Sequence, residues 1–266
     1  MAKEAFARPP AVAGMFYPAS REELAQSVRD YLSSADVGEL QPPKAVIAPH
    51  AGYVYSGPTA GFAFTALALR AAEIERVVIL GPSHRVPVRG LALPGSLAFE
   101  TPLGTVPVDE ELAVRVAPLP QVEVSEPAHQ LEHSLEVEIP FLQVILGEFS
   151  ILPLVVGDAR PDEVAEVLDL VWGGSETAIV VSSDLSHFLS YDEACRVDRA
   201  TVDRIVALEA PIRPNEACGA YPINGMLESA RRLGLKAELL DLRNSGDTSG
   251  DRGRVVGYTA ISFVEQ

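Results

Sequence analysis

Three short apolar runs, each closing on a turn and then a histidine, set the tightest limit on how this chain can fold. AVIAPH ends at His50, RVVILGPSH at His84 and AIVVSSDLSH at His187. Runs of this length, bounded by Gly, Pro and Ser, read as buried strands. In α/β sheets, ligands and catalytic groups gather at the carboxyl ends of parallel strands. Three of the five histidines stand at such ends. The pattern implies one polar pocket assembled from distant parts of the sequence, with a metal ion as its occupant.

The rest of the chain alternates in the same way. Residues 21–33 read as a helix behind Ser20, residues 45–49 as a strand, and 57–72 as a helix with Pro58 at its first position, where a missing N–H costs little. The Gly/Pro punctuation of residues 90–109 suggests a hairpin or short meander. A short helix over 109–117 precedes a longer one over 129–146, interrupted near Pro140. Strand 150–157, helix 161–174, strand 177–184, helices 191–209 and 223–233, and strands 237–245 and 254–264 complete the reading. Strand-then-helix alternation argues for an α/β fold, a mixed, mostly parallel sheet flanked by helices. No repeat or linker divides residues 1–266, so a single domain is expected.

Composition removes several classes of function. The formal charge of −16 repels phosphate backbones, and no Lys/Arg cluster with interleaved aromatics offsets it, so no nucleic-acid partner is expected. No apolar run approaches the ~18 to 20 residues of a membrane span, so no membrane partner is expected either. The first residues lack the continuous apolar core of a secretory signal, and two cysteines are too few for a disulfide framework; both point to the cytoplasm. Cys195, inside the amphipathic 191–209 run, reads as a core or boundary residue.

The candidate site residues are spread along the chain. His50 in APHAGY and His84 in GPSHR can each present one ring nitrogen to a metal while the other is fixed by a hydrogen bond. Their spacing matches no zinc finger or H-E-x-x-H helix, so folding must assemble the site. SSDLSH adds Asp184 and His187, three residues apart; Asp184 could instead cap the next helix. In HQLEHSLEVEIPF, a helix would place His129 and His133 on one face and pair His133 with Glu136. That is a ligand pair, a base held by a carboxylate, or a polar face; His129 is read as a surface residue, and His133 and Glu136 as candidate catalytic groups. Cys218, in the irregular stretch NEACGAYPING, could ligate as a thiolate.

The ordered set RPPAVAGMFYP, APHAGYVYSGPTAG, ILGPSH, FETPLGTVPVD, EHSLEVEIPFLQ, VVSSDLSHF, CGAYPI and VVGYTA, spread over almost the whole chain, resembles the Memo family, whose prokaryotic members are called AmmeMemoRadiSam system protein B. The resemblance implies a fold similar to the class III extradiol dioxygenases, which are non-haem Fe(II) enzymes. It also implies metal ligands at His50, His84 and Cys218, with Asp184 and His187 lining the same pocket and His187 as acid/base. A thiolate is softer than the carboxylate of a dioxygenase and shifts preference towards Zn, Cu(I) or a differently tuned iron.

Two readings follow, and a third carries less weight. The first is an Fe(II)-dependent oxidoreductase acting on a phenolic or other chelating small molecule, with His187 oriented by Asp184 and a substrate wall of Tyr53, Tyr55 and Phe188. The second is a non-catalytic binding or signalling module that presents the same pocket to a peptide or partner protein. Zinc-type hydrolysis, with His187 or Glu136 activating water, is the third. The prokaryotic family name adds radical-SAM and AMMECR-type proteins as partners.

Overall fold

A computed structural model describes residues 6–265. In chain order its elements begin with β1 (Ala7–Arg8), α1 (Arg21–Ser34), β2 (Ala45–Ala48), α2 (Tyr53–Ala68), β3 (Arg76–Pro82), β4 (Leu91–Leu93), β5 (Ala98–Thr101) and β6 (Gly104–Pro107). The middle holds α3 (Glu110–Val116), β7 (Val122–Val124), α4 (Glu126–Gln130), α5 (Ile139–Ile145), β8 (Ser150–Val156), α6 (Pro161–Val171) and β9 (Thr177–Ser182). The chain ends with β10 (His187–Leu189), α7 (Tyr191–Val206), α8 (Ala220–Leu233), β11 (Lys236–Asn244), α9 (Ser245–Ser249) and β12 (Val255–Val264).

Among the described residues, nine strands form one mixed sheet in the order β12-β2-β9-β3-β8-β4-β7, with β11 and β10 both paired to β12. Its centre is parallel: β2 pairs with β9, β9 with β3 and β3 with β8. The flanks are antiparallel, at β12 against β2 and at β4 against β8. The expected 90–109 meander divides its strands: β4 joins the main sheet, while β5 and β6 make a hairpin that β1 extends into a separate three-stranded sheet.

Side chains alternate faces along a strand, and here both faces are covered. Ala45, Ile47, Val78 and Leu80 pack with Val164 and Leu168 of α6 and Ile223 and Met226 of α8. Val46, Ala48, Val77 and Ile79 pack on the other side with Leu24 of α1, Phe64 and Leu67 of α2 and Phe141 of α5. Continuous apolar strands are what such a three-layer arrangement demands.

Two helix expectations need correction. Helix α2 starts at Tyr53, so Pro58 lies inside it rather than at its first position. The cost is one missing bond to the carbonyl of Val54, a residue on the exposed side of the helix. The long helix expected over 129–146 is three pieces: α4, a single 3-10 turn at Glu136–Glu138, and α5. Pro140 does not interrupt a helix but stands in the first turn of α5, where it is tolerated. The break falls at residues 131–135, because the Glu132 carboxylate takes the His133 and Ser134 amides, each at 2.9 Å. A side chain that captures backbone amides competes with the helix for them.

Candidate metal centre

Because β2, β9 and β3 are adjacent and parallel, the residues that follow them emerge at one edge of the sheet: His50 after β2, Asp184 after β9 and His84 after β3. The 131–135 turn then lays His133 over this edge. A Cβ on Gly81 would sit 2.6 Å from Ser134 Oγ, so glycine there is what lets the turn close on β3. On the other side Gly219 brings the Cys218 loop against β9; a Cβ there would lie 2.6 Å from Ser183 Cβ.

His50, His84 and His133 each offer a ring nitrogen, and the three atoms lie within 4.8 Å of one another. The ring centroids are 5.2 Å apart for His50 and His84, 5.5 Å for His50 and His133, and 4.7 Å for the stacked pair His84 and His133. His50 is buried, with Nδ1 2.7 Å from Ser182 Oγ and its backbone N–H donating to Asp184 Oδ1 at 2.9 Å. His84 donates twice to Glu132, from its backbone N–H at 2.7 Å and from Nδ1 at 2.8 Å. The His133 ring meets the edge of Phe16 at 4.8 Å, and its Nδ1 is buried without a hydrogen bond among the described residues, 3.3 Å from Glu132 Oε1 but poorly aligned with it.

Burial disfavours the charged form of two of the rings, His50 and His133. Burial, then the neighbouring His84, His133 and His187, hold the His50 imidazole far below its usual pKa. Burial brings His133 down to about 4, with His84 and Arg85 helping and Glu132 and Glu136 opposing. Burial alone would raise Glu132, but the hydrogen bonds from His84 and the backbone amides bring it down to about 2. An anionic Glu132 on His84 Nδ1 fixes the tautomer and leaves Nε2 with its lone pair, the arrangement by which outer carboxylates orient metal-binding histidines. Three converging imidazoles, two with Nδ1 already engaged and one with an orphaned buried nitrogen, fit a transition-metal ion.

The other candidates take varied places. Cys218 lies outside the three-ring group, but its Sγ is 3.3 Å from His50 Nε2 and accepts from the Asp184 N–H at 3.3 Å; burial, then Asp184, pushes the thiol pKa up. Asp184 is buried and raised to about 7 by desolvation, against the amide bonds it accepts from His50 and Ala51. It does not orient His187. That ring donates from Nδ1 to the Leu185 carbonyl at 2.9 Å, and partial desolvation lowers its pKa although the residue reaches solvent.

Glu136 faces away from the rings. Its carboxylate accepts from Arg8 Nη1 at 2.7 Å, the Ala11 and Val12 amides at 2.7 and 3.0 Å, and the Tyr17 hydroxyl at 2.5 Å. Both oxygens are consumed in fastening the amino-terminal segment, so no base for the pocket remains there. His129, expected at the surface, is buried, donates Nε2–H to the Ala92 carbonyl at 2.8 Å and shares no face with His133. Tyr53 is no substrate wall either: it is buried, with its hydroxyl on the Val137 carbonyl at 2.8 Å, whereas Tyr55 and Phe188 are exposed. Cys195 is exposed rather than at the core. Sequence reasoning missed Glu132, Glu138 and Ser182 altogether; the one signal was glutamates set in an otherwise apolar run, since such acids must be partnered when buried.

Beside the rings a cleft of about 450 Å³ is lined by His84, Arg85, Val86, Asp158, Cys218 and Tyr221, among others. Arg85 has no hydrogen-bond or ion-pair partner among the described residues, so the cleft carries an uncommitted cation in a strongly acidic chain. No helix among the described residues is long and apolar enough to cross a membrane.

Residues 8–262 match the family described as Memo-like protein. This chain belongs to the Memo family. It is 37% identical to a MEMO1 family protein of Aquifex aeolicus, over 97% of this chain and 99% of the relative. It is 38% identical to one of Methanosarcina acetivorans, over 96% and 98% of the two chains. An uncharacterized protein of Escherichia coli K12 shares the fold at a TM-score of 0.55 and 14% identity, covering 84% of this Memo-family chain and 100% of its own. The single-domain α/β architecture, a mixed sheet flanked by helices, is consistent with the dioxygenase-like fold that the sequence resemblance implies.

Proposed function

We propose that this Memo-family chain is a non-haem metal protein, with Fe(II) as the resident ion, and that it oxidises a small phenolic or otherwise chelating substrate in the cleft beside His84. The observation that carries this reading is the convergence of the His50, His84 and His133 rings, two of them fixed by partners on Nδ1. His50 and His84 hold the ion through Nε2, and His133 supplies the third nitrogen. Cys218, against His50 Nε2, is the soft donor next in reach. An ion so held supplies Lewis acidity towards a chelating substrate and, as iron, electrons for dioxygen chemistry; zinc or copper on the same nitrogens would favour other reactions.

The chain's own groups do the rest. Because Leu185 holds the proton on His187 Nδ1, His187 Nε2 is the atom that accepts the proton of a substrate hydroxyl and later returns it. Its lowered pKa keeps it unprotonated and ready at neutral pH. Arg85 attracts a phenolate or carboxylate into the cleft, and Tyr221 and Val86 give an aromatic body a surface to lie on. Radical-SAM and AMMECR-type proteins are the partners that the family resemblance implies.

Metal analysis after anaerobic purification tests the assignment. Wild type is expected to carry near-stoichiometric iron and His50→Ala none; metal-free wild type would end the proposal. Retention in His133→Ala with loss in Cys218→Ala would hand the third position to the thiolate. Dioxygen uptake with a panel of catechols then tests turnover. Iron-loaded protein that consumes none would make the pocket a binding module, and zinc in place of iron would favour hydrolysis.

A further inference from the structure

Glu138 is among the most deeply buried acids of the described residues, with no exposure to solvent. Its Oε1 lies 2.7 Å from Ser182 Oγ, and its Oε2 is buried without a hydrogen-bond partner among the described residues. The same hydroxyl lies 2.6 Å from the Ser134 carbonyl oxygen and 2.7 Å from His50 Nδ1. One hydroxyl therefore meets three groups.

Counting protons decides how it serves them. A serine hydroxyl has one proton to give and two lone pairs to receive with. The Ser134 carbonyl can only accept, so the proton goes there, and both His50 Nδ1 and Glu138 must donate. A carboxylate cannot donate; a carboxylic acid can. The opposite assignment would set two oxygens face to face at 2.6 Å and leave an ionised Oε2 buried and bare, the costliest form of unpaired group. Burial, reinforced by the Asp184 charge, pushes the Glu138 pKa well above the ordinary carboxylate value, against the Ser182 bond.

We propose that Glu138 is a positioning residue for the metal centre: as a neutral acid it donates to Ser182, which fixes the His50 ring with its proton on Nδ1 and its Nε2 lone pair turned to the ion. This rests on the reading of His50 as a ligand. Since Ser134 follows His133, the same hydroxyl also ties His50 to the turn that carries a second ring. Thus His84 is oriented by an anion, Glu132, and His50 by a neutral acid acting through a serine.

The test uses the full chain with Co(II) as probe, in wild type, Glu138→Leu, Glu138→Gln and Ser182→Ala. Leucine fills the space without an unpaired oxygen, so Glu138→Leu should bind Co(II) roughly 10- to 100-fold more weakly while its Tm stays level or rises, a split that a merely structural role would not produce. Glu138→Gln, whose amide N–H can donate to the same hydroxyl, should keep most of the affinity, and Ser182→Ala should lose it. Equal losses in Glu138→Gln and Glu138→Leu, or none in Glu138→Leu, would overturn the proposal. Infrared spectra of metal-free protein provide an arm independent of binding and of whether Glu138→Leu folds. The wild-type-minus-Glu138→Gln difference spectrum should show the carbonyl stretch of a buried carboxylic acid, any band from Asp184 being common to both proteins; the absence of this difference band would also overturn the relay. Wild type that shows this band but binds no Co(II) would instead count against the metal reading alone.

Discussion

The two walls of the centre are built in different ways. His50 and His84 follow β2 and β3, whose positions are set by ladders of parallel strand bonds through β9; the backbone fixes them before any side chain contributes. His133 sits on an irregular turn whose amides and neighbours are held by buried glutamates: Glu132 by four hydrogen bonds, two of them from His84, and Glu136 by the amino-terminal segment. On the strand wall a ligand can be removed and its scaffold remains. On the turn wall the scaffold is itself side-chain chemistry, so stability and metal binding are expected to fail together.

The largest expected effect tests that contrast directly. Glu132→Ala should cost about 3 to 5 kcal/mol, as for breaking a buried charged network, and abolish metal binding; His50→Ala should lose metal yet still unfold cooperatively near the wild-type midpoint in urea. Equal midpoints for the two variants would mean that the turn is no more dependent on its side chains than the strand ends are. Next, Arg8→Met should cost about 3 kcal/mol, because it strands the buried Glu136 carboxylate, and should loosen the Phe16 cover on His133 so that metal dissociates faster, measurable by chelator competition. An unchanged off-rate would confine the amino-terminal segment to stability.

Acid should act on the turn wall first. The Glu132 pKa in the folded chain lies below its ordinary 4.5, at about 2, so its contribution is full above about pH 4.5 and lost as pH falls towards 2. Metal-free wild type should lose stability across that window, and Glu132→Gln should show a flatter acid limb; parallel limbs would contradict the assignment. The smallest effect belongs to neither wall: Cys195→Ser, at an exposed position, should shift stability by less than about 0.5 kcal/mol with metal content unchanged.

The same division explains what could be read from sequence. Strand ends are announced locally, by an apolar run and a Pro or Ser turn, so His50 and His84 are legible as a pair; His187, the third histidine of that reading, instead opens β10 at an exposed position, and Asp184 is the residue that follows β9 into the site. The turn wall has no local signature. Residues 129–136 satisfy helical spacing, and what breaks the helix is Glu132 turning its carboxylate onto its own amides and onto His84, 48 residues away. Glu136 looked like a base beside His133 because its partner, Arg8, lies 128 residues upstream. Ser182 and Glu138 could not be singled out, since a strand serine and an acid in an apolar run gain meaning only when folding sets them 2.7 Å apart.

Whether three histidines hold the metal ion can be seen by anomalous diffraction at the metal absorption edge from anaerobically grown crystals of the iron-loaded protein. One strong peak is expected within bonding distance of His50 Nε2, His84 Nε2 and a ring nitrogen of His133. A peak bonded to His50, His84 and Cys218 Sγ with His133 beyond reach, or one located elsewhere in the molecule, would contradict that arrangement.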